Sequence, residues 1–83
     1  MTVIQPGLFL IMRRFPEHKD VLRHRFLSSE SFQSICKDYH RCSEAVIYWA
    51  KSEHEKALDR HREYLVLLHE MESDIIKSLD DVF

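Results

Sequence analysis

Glycine and proline are almost missing from this chain. There is one glycine and there are two prolines among 83 residues, and all three lie within the first 16. An all-β domain needs turn residues every ~8–12 positions, so that class is excluded. From Glu17 onward no strong helix breaker occurs, and an all-α fold follows. Cysteine is also scarce. Cys36 and Cys42 stand six apart, which on one helix separates their Cα atoms by ~9 Å, too far for a disulfide. They read as reduced thiols of a cytoplasmic protein. No apolar run approaches the ~20 residues needed to span a bilayer. Met1-Thr2-Val3 lacks the positive start of a secretory signal, so neither export nor membrane insertion is expected.

What is present is the composition of a small folded domain. Hydrophobic residues are 45%, charged residues 31%, and the net charge is −2. That is too apolar and too balanced for a disordered chain. The length allows one domain at most. Residues 1–14 form an N-terminal arm with a turn signal at Pro6-Gly7 and the short apolar run Leu8–Met12. This run fits either a single helical turn or an extended segment, and it needs cover. Residues 15–83 form the single helical domain.

Three helices are expected in that domain. The first spans about 16–26, with Pro16 at its first position, Glu17 and Asp20 in its first turn, and Arg23 and Arg25 toward its end. Ser28-Ser29 then supplies a new cap. The second helix spans about 29–51. Phe32, Ile35, Tyr39, Cys42, Val46 and Trp49 alternate at spacings of three and four, which places them on one packing seam. The third spans about 53–80 and carries Ala57, His61, Tyr64, Leu65, Leu68, Met71, Ile75 and Leu79. Between them lies the polar hexad Lys51–Lys56, in which Ser52 and Glu55 have capping-box spacing. The preferred architecture is therefore an antiparallel hairpin of two long helices with a short helix before it. The alternative is one unbroken helix of about 50 residues pairing as a coiled coil, because the two stripes continue nearly in phase.

Phe15-Pro16-Glu17-His18-Lys19, the serine-capped helix with Phe32, and Cys36-Lys37-Asp38-Tyr39-His40 resemble the small bacterial YdcH-like proteins. The resemblance covers about residues 15–79. It implies a helical hairpin of unknown function and supplies no catalytic residue. In such proteins the turn is often longer and contains proline, which this chain lacks there.

Six histidines raise the question of metal. Cys36 and His40 stand at i, i+4. In a hairpin turning near Ser52, Cys42 faces His61 with Asp38 one turn away, a set of the type that holds zinc. Neither set has four ligands and no C-x-x-C is present, so no metal is expected; the cysteines serve as small core residues. No glycine-rich loop cradles phosphate. A few helices of this size offer no pocket for catalysis. No enzyme and no cofactor are expected.

Charge is segregated. Residues 1–27 carry a balance of +3, residues 28–62 none, and residues 63–83 a balance of −5. Arg13, Arg14, Arg23 and Arg25 form either a phosphate-binding patch or the internal partner of the acidic helix end bearing Glu70, Glu72, Asp74, Asp80 and Asp81. The internal pairing is preferred, and nucleic acid is not an expected partner. Tyr48, Val66 and Leu67 lie off the main stripes. A core of this size is marginal alone, so these three are the expected surface of self-association, with two hairpins forming a helical bundle. The expected role is protein–protein interaction or scaffolding as a homodimer. The alternative is a small regulator that binds nucleic acid through the basic segment or a metal through the Cys/His positions.

Overall fold

The computed structural model describes residues 5–80, and every regular element among them is helical. In chain order they are α1 (Pro6–Arg14), a 3₁₀ turn (Pro16–His18), α2 (Lys19–Ser28), α3 (Glu30–Lys51) and α4 (Ala57–Asp80). Residues 1–4 of the expected arm, and residues 81–83 with Asp81 of the acidic cluster, lie outside the described range. The chain falls into two compact units, Met1–His40 and Arg41–Phe83.

In the first unit the expected arm is a helix of nine residues. Pro6 is pre-set for its first turn, and Gln5 caps it by accepting the Leu8 N–H at Oε1, 2.9 Å away. Leu8, Ile11 and Met12 recur at helical spacing and are buried. Arg13 and Arg14 occupy the last turn, where they complement the dipole. α1 packs against the 3₁₀ turn and α2. Gly7 is also buried, and it lies so close to the main-chain carbonyl of Cys36 that no side chain fits between them.

The expected helix at 16–26 is divided. Pro16–His18 makes a tight turn, His18 leaves α geometry at φ −111° and ψ 15°, and α2 follows. Three-residue hydrogen bonding suits a chain that leaves helical geometry at Phe15 and must redirect before the α register begins. α2 ends at Ser28, two residues beyond the expected boundary. Only Ser29 separates it from α3. Ser29 is extended and caps α3, its Oγ accepting the Phe32 N–H at 3.1 Å. Gln33 Nε2 spans the joint by donating to the Phe26 carbonyl at 2.8 Å. Leu22, Phe32, Cys36 and Tyr39 are buried in this unit. Ile35, expected in the seam, is instead 39% exposed. The close seat of α1 on the Cys36 turn rotates the buried side of α3 toward Cys36 and leaves Ile35 at its edge.

In the second unit α3 ends at Lys51 and α4 begins only at Ala57. The helical path is thus interrupted over Ser52–Lys56, and the start expected at 53 is displaced by four residues. Ala57, Ile75 and Leu79 are buried. Their spacing places them close to one face of α4. Val46, Trp49, His61, Leu65, Leu68 and Met71 are half-buried. Glu72, one of the acids of the helix end, is buried.

Candidate interaction site

The residues that set the geometry between α3 and α4 are few. Cys42 is buried on α3, and its thiol donates to the Tyr64 carbonyl on α4 at 3.4 Å. The expected neighbour of Cys42 was His61. The later start of α4 moves the pairing about one helical turn along, to Tyr64. The Cys42–His61–Asp38 set is therefore not assembled around the thiol. Among the described residues no group of three or more His, Cys, Asp or Glu side chains could hold a metal ion.

Both thiols are free and buried. Burial pushes the Cys36 thiol up to about 12. It also raises Cys42 above the ordinary thiol value. A buried thiol resists ionisation because the thiolate loses its hydration. Burial thus favours the protonated thiol over the thiolate at both positions.

The connection between α3 and α4 is organised by one residue, His54. Its N–H donates to Ser52 Oγ at 3.1 Å. Its ring Nδ1 accepts the Lys56 N–H at 3.1 Å. Its carbonyl accepts the Ala57 N–H at 2.9 Å. Its ring also meets the Trp49 ring edge-on, with centroids 6.2 Å apart and planes at 78°. Ser52 thus acts in a local turn two residues long and not in the expected capping box with Glu55. Contrary to the expectation of no pocket, an open cleft of about 410 Å³ lies beside this joint, bounded by Trp49 from α3, His54 from the connection, and Leu58 and His61 from α4.

Apolar side chains remain on the outside of this unit. Tyr48 and Leu58 are each 63% exposed, Leu67 is 44% exposed, and Ile47 and Val66 are also exposed. Of these, Tyr48, Val66 and Leu67 were expected from their positions off the stripes. Ile47 and Leu58 were not; Leu58 follows Ala57 directly and falls outside the stripe for the same reason. Tyr48 is held edge-on against Trp49, with centroids 4.9 Å apart and planes at 85°. That contact gives an exposed aromatic side chain a defined posture.

In the first unit, two of the four arginines proposed for phosphate lie over aromatic rings of their own segment. Arg13 stands 5.7 Å from the Phe9 ring centre and Arg14 stands 5.4 Å from that of Phe15. These are cation–π distances. Among the described residues no helix is long and apolar enough to cross a membrane. Comparison of the chain with family models, with curated proteins and with solved structures finds no match.

Proposed function

We propose that this chain is a non-catalytic interaction protein of the cytoplasm that acts by associating with a second copy of itself. The observation that carries the reading is the group of exposed apolar residues Ile47, Tyr48, Leu58, Val66 and Leu67, all within Arg41–Phe83. Single exposed apolar residues are ordinary. Five within 21 residues of a short chain are a different matter, because a larger apolar surface marks a place where something binds. A second copy offers the same apolar chemistry in return, and a core this small gains from being extended.

In this reading α4 pairs antiparallel with the C-terminal half of α3, as the Cys42–Tyr64 contact favours. Two such hairpins combine into a four-helix bundle. The protonated, buried thiols support the non-catalytic part of the reading. Kinship with the bacterial YdcH-like proteins belongs to the proposal as well, on the strength of residues 15–19 and 36–40, and it adds no functional residue.

Replacing Tyr48→Glu together with Leu67→Glu tests the proposal. Both side chains are exposed, so the charges cost little within one chain, but each would be stranded in an apolar interface. The molar mass from light scattering should fall to that of a monomer while the helical circular dichroism persists. An unchanged mass would place the association elsewhere or remove it.

A further inference from the structure

The hydrogen bond from the Lys56 N–H to His54 Nδ1 requires a lone pair on that nitrogen. Only the neutral imidazole protonated at Nε2 provides it. Protonating Nδ1 turns the acceptor into a donor aimed at another donor. The same residue supplies the carbonyl that receives Ala57 N–H, the first amide of α4, and the amide that reaches Ser52. His54 therefore ties the end of α3 to the start of α4, and one of its ties exists in one protonation state alone. We propose that the Ser52–Lys56 connection is a pH-responsive joint, in which protonation of His54 releases the backbone entry into α4.

The cleft beside the joint is lined by the titratable groups Glu53 and Glu55 from the connection and His61 from α4, while α3 contributes Trp49 and Ala50, neither of which titrates. The joint is closed while the His54 ring is neutral and accepts the Lys56 N–H, and released once that nitrogen is protonated. The inference does not depend on self-association.

The chain has a single tryptophan, and its ring is the one in contact with His54. An imidazolium quenches indole emission more strongly than a neutral imidazole does. Tryptophan fluorescence and the Lys56 amide proton shift should therefore be followed together from pH 8 to 5 in the full chain. The wild type should lose emission and move the Lys56 amide upfield in one common transition. His54→Asn should abolish both transitions, because the Asn Oδ1 takes the place of Nδ1 and does not titrate. His61→Gln should leave both in place. A Lys56 amide that stays flat while the histidines titrate would overturn the proposal. So would a transition that survives in His54→Asn or vanishes in His61→Gln. If His54→Asn fails to fold, the wild-type Lys56 titration decides alone.

Discussion

Replacing Gly7 by alanine puts the account of the first unit to a test in which even the sign is informative. Gly7 is the second residue of α1. No glycine among the described residues has a positive φ, so the backbone conformation here does not demand glycine. On conformational grounds alone, alanine would reduce the freedom of the unfolded chain and stabilise the protein by ~0.4–1 kcal/mol. Packing argues the other way. A Cβ at this position falls deep inside van der Waals contact with the Cys36 carbonyl oxygen and lies 3.0 Å from Gln5 Oε1, the cap acceptor. The carbonyl belongs to the backbone inside α3 and cannot step aside as a side chain would.

Overpacking of this kind costs about 1–3 kcal/mol, and here it comes with disturbance of the cap. The net effect should be a loss of about 1–2 kcal/mol. For a chain of this size that corresponds to a Tm lower by roughly 5–15 °C. Thermal melting followed by circular dichroism measures it. Adding Cys36→Ala should not restore the stability, because the obstruction is main chain. A raised Tm in Gly7→Ala would refute the close seat of α1 on α3.

Three further outcomes follow from the same structure. Ser29→Ala removes the acceptor for the Phe32 N–H and should cost ~1 kcal/mol in denaturant unfolding; no loss would mean that the cap is idle. Glu53→Pro lies in the non-helical connection and should be tolerated within ~1 kcal/mol, whereas in a continuous helix it would cost ~3 kcal/mol or more. The raised thiol values make folding weaken in alkali. The unfolded chain releases thiol protons near pH 8.5, while folded Cys36 holds its proton until about 12. Stability contributed by the thiols is therefore complete below about pH 8.5 and is lost as pH rises toward the folded value. Alkylation at pH 8 should be slow in the folded protein and fast once it is unfolded, and rapid labelling without unfolding would contradict the burial of both thiols.

The all-α class was legible because it follows from what the sequence omits. The long helices were legible because three-and-four spacing and serine caps are local signals. Ser29 caps α3 as its position implied. The N-terminal helix was ambiguous because five consecutive apolar residues carry no period, and its placement depends on Gly7 meeting a carbonyl 29 positions away. Ile35 is displaced from the seam for the same reason, while Cys36, expected as a small core residue, takes the buried side. Neighbours on a helix compete for the buried side, and a distant element decides between them.

The joint was legible in part. The polar hexad marked an interruption, but Ser52 and Glu55 suggested a capping box because that pattern is read from spacing alone. The acceptor actually used is a histidine ring, which has no common capping signature. α4 starts four residues later than expected, and the partner of Cys42 is Tyr64 and not His61. The off-stripe residues Tyr48, Val66 and Leu67 could be found from phase, whereas Ile47 and Leu58 needed the observed surface.

Self-association is the claim on which the proposed function stands, and the molar mass of the wild-type chain in solution tests it most directly. One chain weighs 10.0 kDa. Light scattering across a dilution series into the high micromolar range should give a mass about twice that, falling toward the single-chain value only on dilution, as mass action requires. A mass of one chain throughout the series would contradict the account.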